Sequence, residues 1–148
     1  MRIYLDLCCF NRPYDDQSQL RIRIETEAKI AIQQKIKDEE CGLLWSSILD
    51  FECSKNPFEE NRVAILNWRS LACDLIAIDE AVLEQAQHLI SYGVGHYDAL
   101  HVACAVAAKS DLFVTTDDRL LKRLKIAGGV VAMLPQEAIA FLENWYEN

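Results

Sequence analysis

Apolar positions follow two alternating rhythms along the chain. Short runs, RIYLDL (2–7), LLWS (43–46), DLIAI (74–78), DLFVT (111–115) and VVAM (130–133), are rich in aliphatic and aromatic residues and predict strands. Between them the apolar residues return every three or four positions, the spacing of one helix face. Leu20, Ile24, Ala28, Ile32 and Ile36 form such a stripe across 17–40, a stretch free of Gly and Pro and stopped by Gly42. Further helices are expected from Ser46 or Ser47 to Asn56-Pro57, over 59–71, over 80–91 behind an Asp79 cap, over 96–108 and over 118–125. A closing helix opens at Pro135 and carries Ile139, Phe141, Leu142 and Trp145. Asn11-Arg12-Pro13 reads as a loop, and Gly93 and Gly95 close the helix that precedes them.

Strands that alternate with helices in this way predict a parallel sheet covered on both faces. The expected fold is therefore a three-layer α/β/α sandwich with a central, mostly parallel sheet, as one domain over 1–148. The helix over 96–108 is apolar on nearly every side and should be buried on most of them.

Composition narrows the class. The chain has 148 residues and is 51% hydrophobic, enough for one core. It has no run of about eighteen apolar residues and so no membrane span. The N-terminus reaches Asp6 too soon for a signal peptide, so a cytoplasmic location is expected. Six cysteines without a CxxC pair fit a reduced compartment and use as small core residues. His101 and Cys104 are the nearest zinc pair, and two ligands are too few. A net charge of −8 disfavours a generic nucleic-acid binder but does not argue against a site whose acids are partly neutralised by the ions they bind.

In parallel α/β sheets, functional groups gather beyond the carboxyl ends of the strands. Asp6 ends the first predicted strand, Asp117 lies just past DLFVT, and Asp98 opens the buried helix. Glu52 sits between Phe51 and Cys53 in the helix after the second strand. Acids in such apolar segments are costly unless paired or bound to a cation. Oxygen donors without paired thiolates or imidazoles suit a hard ion, Mg²⁺ or Mn²⁺. Two such ions can clamp a phosphodiester during hydrolysis. Each acid also has an ordinary reading: Asp98 as a helix cap, Asp117 or Asp118 as a turn residue, Asp6 as a solvated charge.

The order of these segments resembles the PIN-domain family along nearly the whole chain. IYLDLCCFNRP carries the first acid, Asp6, and WSSILDFECSKNP carries Glu52. GHYDALHVACAVAAKSDLFVTTDDRLLKR carries Asp98 and then Asp117, with Asp118 outside the set. The resemblance implies a Mg²⁺-dependent ribonuclease acting on RNA, commonly the toxin of a toxin–antitoxin pair with a small antitoxin protein as partner. Together with the apolar content it also implies a homodimer. One departure is Cys8, where many members carry a small hydroxyl or amide residue; the thiol is a poorer hydrogen-bond donor.

Other residues have a functional and a plain reading. Asn11 can supply a polar group to the site or serve the turn. Thr115 and Thr116 can bond a metal-held water or Asp117, or act as β-branched strand residues. Arg119, Lys122, Arg123 and Lys125 make a basic helix suited to phosphate contact or to solvent. Arg21–Glu25 and Arg23–Glu27 read as pairs on a solvated helix face. His101 reads as a core histidine or a support behind the acids, and Trp45, Trp68 and Trp145 as core or interface anchors. A phosphatase with an Asp nucleophile would need an acid where Cys8 stands, and neither GxGxxG nor GxxxxGK[ST] occurs. The remaining alternative is a PIN-like domain that binds nucleic acid or protein without cleaving.

Overall fold

Neighbouring residues on a strand point to opposite faces of a sheet, yet Ile3, Tyr4 and Leu5 are all fully buried. The same is true of residues 43–45 and 112–114. The middle of the sheet must therefore be covered on both sides. The computed structural model, which describes residues 1–145, has this architecture. The last three positions of the expected domain lie outside the described residues.

The strands are β1 (Arg2–Leu5), β2 (Gly42–Ser46), β3 (Ala72–Ile76), β4 (Leu112–Val114) and β5 (Ala132–Met133). They form one parallel sheet in the order β3-β2-β1-β4-β5. Among the described residues the helices are α1 (Leu7–Asn11), α2 (Leu20–Lys37), α3 (Ser47–Ser54), α4 (Glu59–Leu66), α5 (Glu80–Ser91), α6 (His96–Ala107), α7 (Asp118–Ala127) and α8 (Pro135–Leu142). α2 packs against α8, and α5 against α6. After β1 the chain builds outward to β2 and β3, then crosses back to place β4 on the other side of β1. The strand order reverses at β1 and β4, and the crevice beyond their carboxyl ends is where α/β sheets bind ligands.

Several boundaries differ from the sequence pattern for local reasons. β1 stops at Leu5 because the Asp6 side chain caps a short helix, α1, where a loop was expected. α1 runs into a 3₁₀ turn at Arg12–Tyr14 with Pro13 inside it. β3 lies two residues earlier than expected, pairing Asp74 with Leu44. The helix expected over 59–71 ends at Leu66, and a 3₁₀ turn at Asn67–Leu71 leads into β3.

The apolar stripe of α2 is only half used. Ala28, Ile32 and Ile36 are buried, but Leu20 and Ile24 are 61% and 44% exposed. A step of four residues turns a helix by about 40° beyond a full circle, so a stripe of several such steps winds away from any flat surface. The inward face near the start of α2 instead carries Glu25, Thr26 and Lys29. Glu25 is fully buried, so its expected place on a solvated face is corrected.

Candidate active site

Asp6 is placed by the end of β1: its backbone N–H donates to the Val114 carbonyl at 2.9 Å, tying β1 to β4. One carboxylate oxygen accepts the Leu7 N–H at 2.8 Å, and the other accepts the Thr115 hydroxyl at 2.9 Å. The Cys8 thiol stands 3.5 Å from that second oxygen, a weak contact. Thr115 thus makes the firm bond that a thiol cannot. It is fully buried and also accepts the Asp117 N–H at 3.2 Å, so one hydroxyl joins the turns that follow β1 and β4. Asp117 in turn caps α7, accepting from the N–H groups of Arg119 (2.9 Å) and Leu120 (3.2 Å).

Glu52 comes from α3, which is capped by Ser46 at the end of β2. Its carboxylate is hydrogen-bonded to Nε2 of His101, a fully buried residue of α6. The other ring nitrogen of His101 meets the Tyr4 hydroxyl at 2.6 Å, and that hydroxyl meets Ser46 Oγ, also at 2.6 Å. Burial holds the Tyr4 hydroxyl well above its ordinary pKa, so it remains a neutral phenol. His101 Nε2 also lies 4.0 Å from Asp6, so this imidazole stands between two of the acids. Its place behind them agrees with the supporting role weighed for it.

Asp98 lies one turn before His101 in the first turn of α6. Burial pushes its carboxyl from 3.8 up to about 6, the charges of Asp6, Asp117 and Glu52 add to the rise, and His101 offsets part of it. Three carboxylates from distant parts of the chain therefore act electrostatically on Asp98. Asp98 and Asp117 line a cleft of about 380 Å³ together with Gly93, Arg119 and Arg123. The Arg123 guanidinium donates to the Tyr92 carbonyl at 3.2 Å and crosses over Gly93. Gly93 has φ +87°, a backbone conformation that favours glycine, and a Cβ there would also come within 2.4 Å of that guanidinium and displace it.

Among the described residues no three His, Cys, Asp or Glu groups stand at chelating spacing. Glu52 is held by His101, while Asp6 and Asp117 cap helices. The donor set is nonetheless all oxygen, four carboxylates with the Thr115 hydroxyl, and it fits a hard divalent cation. Burial pushes the Cys104 thiol up to about 11, as for a small residue packed in the core.

A cluster that the sequence spacing did not reveal lies next to these acids. Buried Glu25 takes Arg12 at 3.0 Å and Arg21 at 3.3 Å. Arg21 reaches on to both oxygens of Asp118 (2.6 and 2.9 Å) and to the Thr116 carbonyl (3.3 Å). α2 is thereby clamped to the segment that carries Asp117. The signal available in sequence was the Arg21–Glu25 spacing, which cannot distinguish a buried pair from a surface one.

A profile described as the PIN domain matches residues 21–126, a span that holds Glu52, Asp98 and Asp117. Solved structures with a similar fold include FitAcB from Neisseria gonorrhoeae, at TM-score 0.59 and 19% identity, covering 90% of this chain and 97% of that one. DNA-bound VapBC from Salmonella typhimurium gives 0.58 and 18%, covering 91% and 98%. VapBC2 from Rickettsia felis, bound to a DNA fragment from its promoter, gives 0.57 and 16%, covering 90% and 98%. No curated protein sequence matches the chain. Such identities speak for the fold alone, but the profile spans well over half of the sequence, and the chain belongs to the PIN-domain family.

Proposed function

We propose that the protein is a metal-dependent endoribonuclease that hydrolyses RNA phosphodiester bonds through Asp6, Glu52, Asp98 and Asp117. The reading is supported above all by the charges of Asp6, Asp117 and Glu52 acting on Asp98 at the reversal point of the sheet, where burial and these charges push its carboxyl up to about 6. Family membership supports the reaction class. We assign the same four residues as ligands of Mg²⁺ or Mn²⁺. Bound there, the ion supplies Lewis-acid polarisation of the phosphodiester and lowers the pKa of the attacking water.

The chain's own residues do the rest. Thr115 fixes the rotamer of Asp6, and the amides of α7 fix Asp117, so two acids are oriented before substrate arrives. His101 holds Glu52 and is itself held by Tyr4, so its two ring nitrogens are both engaged and it positions rather than attacks. Arg119, beside Asp98 and Asp117 in the same cleft, supplies a cation for a flanking phosphate. The family resemblance further supports a cytoplasmic toxin that pairs with a small antitoxin protein and assembles as a homodimer. Among the described residues no helix is long and apolar enough to cross a membrane.

Cleavage of a labelled RNA panel in Mg²⁺, Mn²⁺ and EDTA tests the proposal. Cutting with either ion, silenced by EDTA and by Asp98→Asn, is expected. RNA binding without cutting under every condition would leave a binding module instead.

A further inference from the structure

A second cleft, of about 360 Å³, is walled on one side by Glu52. Its lining combines two aromatic rings, Tyr14 and Phe58, with three side-chain amides, Asn11, Asn56 and Asn61. We propose that this cleft binds a nucleobase of single-stranded RNA next to the cleaved phosphate, and so sets the base preference of cutting. The inference rests on the nuclease reading above.

Tyr14 and Phe58 are 48% and 67% exposed, far from the burial that rings of their size gain in a core. Each sits where the chain is locally stiff. Tyr14 ends the 3₁₀ turn that contains Pro13, and Phe58 follows Pro57 with its N–H donated to Asn56 Oδ1 at 2.9 Å. That bond uses the oxygen of Asn56 and leaves its NH₂ as a donor. Rings stack on the face of any base, while amides carry both donors and acceptors and read a base edge. This pairing of groups suits a base better than a phosphate, because Glu52 stands in the wall and would repel an anion. Asp15 and Lys55 also line the cleft, and the Lys55 ammonium donates to the Tyr97 hydroxyl at 3.1 Å. Since Glu52 belongs to both the acid cluster and this cleft, a base seated here lies beside the reacting phosphate.

The test uses a short RNA with 2-aminopurine at successive positions, an abasic counterpart, and the parent protein beside Phe58→Ala, Tyr14→Ala and Asn61→Ala. These positions are exposed or half-buried, and matching melting curves establish that each variant is folded. In EDTA, the parent is expected to quench 2-aminopurine at one position. Phe58→Ala should weaken that binding about tenfold, with no effect on the abasic RNA. In Mg²⁺, Asn61→Ala should flatten the base preference of mapped cut sites while cutting continues. Equal binding and equal cut maps for parent and variants overturn the base site, as does equal loss on the abasic strand, which would mark a surface for a protein partner. Base quenching without cleavage leaves the base site standing and overturns only the nuclease reading. Cleavage without quenching or preference does the reverse.

Discussion

Asp98 lies in the first turn of α6, where a helix end favours negative charge, yet burial and three neighbouring acids push its carboxyl up to about 6. A folded-state pKa raised above the unfolded 3.8 means the folded protein is favoured by protonation. Stability from this group is full below about 4 and is lost as pH rises through 6. In EDTA, Asp98→Asn should therefore remove this decline and stabilise the protein at pH 7 by on the order of 1 kcal/mol after allowance for its partial exposure. The same variant should lose most of the Mg²⁺-dependent rise in melting temperature, which for the parent corresponds to roughly 1–3 kcal/mol at tens to hundreds of times the dissociation constant. An equal Mg²⁺ shift in both proteins would remove Asp98 from the site. Lys29 offers the opposite sign. Burial lowers its ammonium from 10.5 to about 8, and the nearest π-face, Phe10, is 6.0 Å away. A lowered lysine pKa costs stability fully below 8, and the cost fades as pH rises to 10.5. Lys29→Met should raise stability at pH 7 by on the order of 2–3 kcal/mol. Chemical melts across pH 7 to 10 should show that gain shrinking.

At the scale of elements, Glu25 ties three parts of the chain together. It receives Arg12 from the turn after α1 and Arg21 from its own helix, and Arg21 continues to Asp118 at the start of α7. Removing the fully buried carboxylate leaves Arg12 to Asp15 and half-exposed Arg21 to Asp118, and empties a buried position. Glu25→Ala should cost on the order of 2 kcal/mol in urea melts through the hydrogen bonds lost. Arg21→Ala should cost less, since Arg12 still satisfies Glu25, but should lower RNA cleavage by loosening the segment that orients Asp117. If Arg21→Ala leaves cleavage unchanged while Glu25→Ala unfolds the protein, the cluster is purely structural. This cluster was illegible in the sequence for a definite reason. An i,i+4 Arg–Glu pair looks the same whether the helix face meets water or the sheet, and only the packing of α2 decides.

Over the whole molecule, apolar residues remain on the outside after the core is complete. Leu20 and Ile24 lie one turn apart on α2 and are both exposed. The proposed homodimer, formed through apolar helix faces, gives them a place to be buried. Light scattering at micromolar concentration should report a dimer, and Leu20→Glu with Ile24→Lys should shift it to monomer without a loss of far-UV dichroism. A parent that is monomeric throughout would reject the dimer.

The periodicity of the chain by itself determined the strand–helix alternation, and with it the parallel sheet covered on both faces, because burial of whole strands leaves no polar alternation to mistake. It also located Asp6, Asp98 and Asp117 at element ends, where capping and strand exit are local properties. The tertiary structure alone decided which groups meet. Thr115 replaces the weak thiol of Cys8 on Asp6 because β1 and β4 are neighbours. Glu52 meets His101 because α3 and α6 pack against each other. Such contacts join residues 49 and 109 positions apart. A hydrogen bond or a shifted pKa depends on distance and desolvation in space, quantities that spacing along a chain does not carry.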